Sequence, residues 1–116
     1  TLIELIAVLA IIGLLASISV SRFIDLDQEG GRQVLLSAVS ELNGRESLAW
    51  SKVKLSQSGW INDAGVFAGM DTGLRPDVRW TPRAAISGGN LHYKEQMLKL
   101  EREPSLTSRA GRWRKR

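Results

Sequence analysis

The first twenty residues, Thr1 to Val20 (TLIELIAVLAIIGLLASISV), carry one charged side chain, Glu4, and any fold of this chain must find something apolar to cover them. From Leu5 to Val20 the only polar side chains are Ser17 and Ser19, whose hydroxyls can bond back to helix carbonyls. The run reaches the ~20 residues that an α-helix needs to cross a hydrocarbon core ~30 Å thick. A secretory signal would show a basic start, an apolar core of roughly 7–15 residues and a small-residue cleavage site. Here the core leads straight into Arg22, Phe23 and a further helical pattern. The segment is therefore predicted to stay in the mature protein as a helix of membrane-spanning length.

Glu4 is the exception within it. A carboxylate at mid-membrane costs roughly 2.5–3.5 kcal/mol on insertion scales and usually faces a partner. Two readings stand side by side. In one, Glu4 lies near the helix end, reaches the headgroups and favours the positive end of the helix dipole. In the other, it meets a cation on another copy of the chain once many such helices pack in a dry core.

Thr1-Leu2-Ile3-Glu4-Leu5, followed by an Ala/Ile/Leu/Val run containing Gly13, closely resembles the N-terminus of mature type IV pilins and of the pseudopilins of type II secretion. The motif covers about a fifth of the chain. In that family a leader peptidase cuts before a Phe that precedes the motif, and the new amine is methylated; the resemblance implies that a leader and that Phe precede Thr1. It further implies subunit assembly through Thr1, Leu2, Glu4, Leu5 and Gly13, with Glu4 docking on a neighbouring subunit's N-terminal amine, and a body rather than a tip position in the polymer. Many members carry Pro where this chain has Ser21. Ser21 keeps its backbone N–H, but Ser17-Ile18-Ser19-Val20-Ser21 is still a weak helix former, so local melting between Gly13 and Ser21 stays open.

With that helix set aside, roughly 60 of the 116 residues remain for a globular head, a size at which a core is marginal without a staple. There is no cysteine, so stability has to come from packing, a metal or neighbouring copies. The net charge of +4 is local. Arg109, Arg112, Arg114, Lys115 and Arg116 put five cations in the last eight residues, and the other eleven Lys and Arg against twelve Asp and Glu leave −1.

Arg22, Asp25, Asp27 and Glu29 mark the exit from the apolar run, and Gly30-Gly31 predicts a kink or short break, at about 1 kcal/mol per glycine relative to Ala. Leu35, Ala38, Val39, Leu42, Ala49 and Val53 then recur at three- and four-residue spacing, the pattern of a helix with one buried face, with Trp50 beside it. Ser56 to Gly59 should end the helix. Trp60 to Pro76 reads as a loop with turns. Asp63, Asp71 and Asp77 within and beside it have no calcium-loop spacing and are explained as turn residues. Strand-like pieces follow at Val78–Thr81, Ala84–Ile86, Leu91–Lys94 and Met97–Glu101, with Gly88-Gly89-Asn90 as a hairpin turn. Residues 94–102 could alternatively form a short helix. Pro104 ends the element in either case.

His92 is the only histidine, and no P-loop, dinucleotide fingerprint or zinc spacing appears, so no enzyme activity, cofactor or metal is expected. Four of the seven aromatic residues are Trp. Trp60 and Trp80 are expected in the head's core or in subunit contacts. Trp113 lies among the arginines of the tail. Arg109, Arg112, Trp113, Arg114, Lys115 and Arg116 together suit a polyanion, nucleic acid included, or an anionic surface, or an acidic patch on a neighbouring subunit. They read equally well as a solvated terminus.

The expected architecture is α+β and pilin-like: an apolar helix (1–29), its amphipathic continuation (30–58), a small head of three or four antiparallel strands (59–104) and a basic tail (105–116). The resemblance implies a structural subunit of a type IV pilus-like helical filament that waits in the bacterial inner membrane and is then extracted into an extracellular polymer. Its partners would be copies of itself, a leader peptidase, an assembly ATPase and a membrane platform. The alternatives are a pseudopilin of a periplasmic type II secretion pseudopilus, or a single-span anchored module that binds nucleic acid or another anionic polymer through its tail.

Overall fold

The computed structural model describes residues 1–116, apart from the side chain of Ser21. Two helices and one sheet follow in order: α1 (Leu2–Leu55), α2 (Asp63–Ala68), β1 (Val78–Ala85), β2 (Gly88–Tyr93), β3 (Gln96–Glu103) and β4 (Arg112–Lys115). The chain is α+β, with one long N-terminal helix and a four-stranded antiparallel sheet of order β1-β2-β3-β4. It divides into two compact units, residues 1–31 and 32–116.

In the first unit every described side chain from Leu2 to Val20 is exposed, and the segment is long and apolar enough to cross a membrane. Ser17 and Ser19 donate to the Leu14 and Leu15 carbonyls at 2.9 and 2.8 Å, which hides both hydroxyls against the helix. Helix continues through Gly13 and the serine-rich stretch after it. The break expected at Gly30-Gly31 is also absent, because interrupting a helix would strand backbone donors and acceptors on both sides, a larger loss than two glycine propensities.

In the second unit the buried face of α1 is Leu35, Ala38, Leu42 and Ala49, the stripe that the spacing picks out, flanked by half-buried Val39, Trp50 and Val53. It packs on Val78, Leu91, Leu98 and Leu100 of the sheet and on Val66 and Met70 of the connecting segment. The helix ends at Leu55, and Gly59 takes φ +66, a left-handed conformation that suits glycine.

Three local expectations are corrected. The connection is not all loop: Asn62, with extended φ and ψ, accepts from Gly65 N–H at 3.0 Å and starts α2, a turn and a half that the glycines around it disguise. Gly88-Gly89-Asn90 is strand, not turn; the hairpin turn falls at Ile86-Ser87, and the first two strand-like pieces join as β1 with an irregularity between Thr81 and Ala85. A Cβ on Gly89 would lie 2.9 Å from the Trp80 ring, so glycine is in the strand because the indole lies over it. Third, residues 105–116 are not a solvated tail, since 112–115 form β4 on the free edge of β3.

Candidate functional site

At the N-terminus, Thr1 caps α1: Glu4 N–H donates to Thr1 Oγ1 at 3.4 Å, and the Glu4 carboxylate lies 3.5 Å from Thr1 N. Glu4 thus has a local partner at the helix start, while its side chain stays about four-fifths exposed. Leu2 and Leu5 are exposed, and a side chain at Gly13 would meet nothing within 4 Å. Thr1, Leu2, Glu4, Leu5 and Gly13 thus share an uncovered stretch of helix that buries nothing within its own chain.

The second concentration of chemistry is buried. Leu98, Leu100 and Arg102 alternate inward along β3, so the pattern that makes two core leucines delivers a guanidinium to the third position. On α1 the stripe passes through Glu46, between Leu42 and Ala49. The two meet: Arg102 Nε bonds Glu46 Oε1, and a terminal nitrogen reaches Glu46 Oε2 at 3.2 Å. Asp63, the first residue of α2, takes two more Arg102 N–H groups at 2.6 and 2.9 Å, and the Ile86 carbonyl takes the last at 3.2 Å. All five guanidinium donors are used. No buried side-chain polar atom among the described residues lacks a partner.

Burial pushes the Asp63 carboxyl up, but the Arg102 guanidinium, together with Ser105 Oγ and N–H at 2.7 Å each, outweighs it and holds the group below the ordinary carboxylate value. For Arg102, burial works against the charge, and the two carboxylates more than offset it, so its pKa is raised. The cluster ties α1, α2, β3 and the 105 loop into one charged knot. Its buried side-chain polar atoms all have partners, which makes it a structural lock.

Trp113 completes it, and here the sequence-level reading is corrected. Its side chain is 1% exposed, its Nε1 donates to Glu46 Oε1 at 3.0 Å, and its ring lies 5.4 Å from that of Trp80. It is therefore no stacking platform for bases. Asn43 of α1 clamps the same residue through its backbone, donating to the Trp113 carbonyl at 3.0 Å and accepting from its N–H at 2.6 Å. That satisfies the strand-edge groups that β3 does not. The other three indole N–H groups also fasten chain segments: Trp50 to the Leu106 carbonyl, Trp60 to Ser105 Oγ and Trp80 to the Thr72 carbonyl. In a unit without disulfides, four indoles serve as cross-links.

The remaining tail cations separate. Arg114 is engaged by Glu103 at 2.8 Å and Glu101 at 3.6 Å. Arg109 sits in the turn closed by the Leu106–Arg109 bridge, and Arg112, Lys115 and Arg116 are exposed. Asp63 is used by Arg102, Asp71 by Arg45 and the Gly73 N–H, and Asp77 by Arg75. Among the described residues no three His, Cys, Asp or Glu gather where a metal ion could bind. Neither Glu46 nor Arg102 was singled out from the sequence. The usable signal was a carboxylate filling the gap in the 42–49 stripe. Comparison with known proteins finds no matching family model, no matching curated protein and no matching solved structure.

Proposed function

We propose that this chain is a structural subunit of a type IV pilus-like helical filament, held in the bacterial inner membrane by its N-terminal helix before assembly and packed helix against helix afterwards. One observation carries the reading: the apolar side chains of residues 2–20 are all exposed, while residues 32–116 close a core of their own. A continuous apolar surface of that length exceeds the few hundred Å² that a soluble monomer ordinarily shows. Lipid covers it first, and neighbouring copies cover it in the polymer. The Thr1-Leu2-Ile3-Glu4-Leu5 motif supports the same conclusion, with Glu4 exchanging its local cap for a cation on the adjacent subunit.

The test is electron microscopy of fibres sheared from cells that express the full-length precursor, comparing wild type with Glu4→Leu. Thin filaments that disappear in the variant are expected. If neither strain makes filaments and the protein stays in the membrane fraction, a short pseudopilus or the anchored module replaces this reading.

A further inference from the structure

One face of the sheet is covered by α1, and the other is open and basic. Alternation places Lys99, Glu101 and Glu103 of β3 opposite in direction to Leu98, Leu100 and Arg102. On β4, Arg112 and Arg114 point the same way, away from Trp113. Arg116 follows, its N–H donating to the Lys99 carbonyl at 2.9 Å, and β1 adds exposed Arg79 in register with His92. Glu101 and Glu103 are both engaged by Arg114. Arg79, Lys99, Arg112 and Arg116 have no carboxylate within ion-pair distance among the described residues.

The surroundings of these cations select the partner. A folded protein would need an apolar centre to the interface, and the exposed apolar residue of this face is Met97 alone on β3. A lipid surface would need aromatic or aliphatic side chains beside the cations, and Trp113 is buried. A phosphate polymer needs only repeated cations. Arg112 and Arg116, four residues apart along β4 and its continuation, stand about 13.6 Å apart, the axial rise of four nucleotides at ~3.4 Å each on one strand of duplex DNA. Three of the four unpaired cations are Arg, whose planar fork fits phosphate bidentately.

We propose that the open face of the sheet binds the phosphate backbone of duplex nucleic acid through Arg79, Lys99, Arg112 and Arg116, without reading its sequence. The proposal is independent of filament formation, since all four residues lie in the 32–116 unit.

The test is fluorescence anisotropy of short labelled DNA duplexes of two unrelated sequences, titrated with the full chain in non-ionic detergent at several salt concentrations. Four phosphate contacts give a slope of log affinity against log salt near −3.6, or ~150-fold weaker binding between about 50 and 200 mM, the same for both sequences. Arg112→Gln with Arg116→Gln brings the slope to about −1.8 and the loss to ~12-fold. Arg109→Gln, in the turn outside the face, changes neither. Unchanged tryptophan emission shows that each variant keeps its core. The proposal is overturned by absence of binding at low salt, by an Arg79/Lys99/Arg112/Arg116→Gln variant that binds as wild type, or by discrimination between the duplexes. Preferential capture by anionic vesicles or heparin at equal charge overturns it as well.

Discussion

The Glu46 carboxylate on α1 and the Arg102 guanidinium on β3 form an ion pair with both side chains fully out of solvent, although 56 residues separate them in the chain. The pair fixes which turn of the helix faces which rung of the sheet. Hydrophobic contacts tolerate sliding by a turn; a guanidinium with five occupied donors does not.

Removing one partner should therefore cost far more than a surface pair would. Arg102→Met leaves buried Glu46 and half-buried Asp63 without their cation and is expected to destabilise the 32–116 unit by about 3–5 kcal/mol. Glu46→Leu added to Arg102→Met should recover part of the loss, since one of the two stranded charges goes as well. Urea midpoints followed by tryptophan emission measure both.

Acid should release the same knot in a defined direction. The folded-state pKa of Asp63 lies below its unfolded value, so its contribution is complete above about pH 4 and is lost as pH falls through the folded value, where the unfolded chain binds the extra proton. Asp63→Asn should be less stable at neutral pH and should lose less stability on acidification. A pH series of urea midpoints on the two proteins checks the sign. An equal acid slope in both would rule Asp63 out as a source of the acid sensitivity.

Trp113 fills the core and satisfies Glu46 at once, and the two roles can be separated. Trp113→Phe keeps a ring but drops the Nε1 bond, which should cost about 1–3 kcal/mol, whereas Trp113→Ala should cost about 3–5. A thermal melt of each variant orders them.

Asn43 holds β4 by two hydrogen bonds to the Trp113 backbone. Asn43→Ala should free that edge, raising amide exchange at residues 112–115 well before β2 and β3 are affected, at a cost of about 1–3 kcal/mol in overall stability. Exchange that rises evenly over the whole sheet would show that β4 is held by β3 alone.

Much of this protein is legible along the chain, because its determinants are local. An apolar run makes a membrane-length helix through composition, a three- and four-residue period names the buried side of α1, and Ser56 to Gly59 stops it through backbone preference. Leu98 and Leu100 reveal β3 by alternation. Periodicity tells which face a residue occupies, not whether a polar one there finds partners. Glu46 and Arg102 sit at core positions that read as breaks in the pattern until the fold brings 46, 63 and 102 together. Arg112-Trp113-Arg114-Lys115 has the composition of a solvated tail and becomes a strand only because the edge of β3 and the amide of Asn43 offer it bonds. Gly88-Gly89-Asn90 has turn chemistry, yet lies in β2 because the Trp80 ring leaves room for nothing larger at Gly89. Those outcomes were decided by the tertiary structure, since hydrogen-bond partners and excluded volume come from residues distant in sequence.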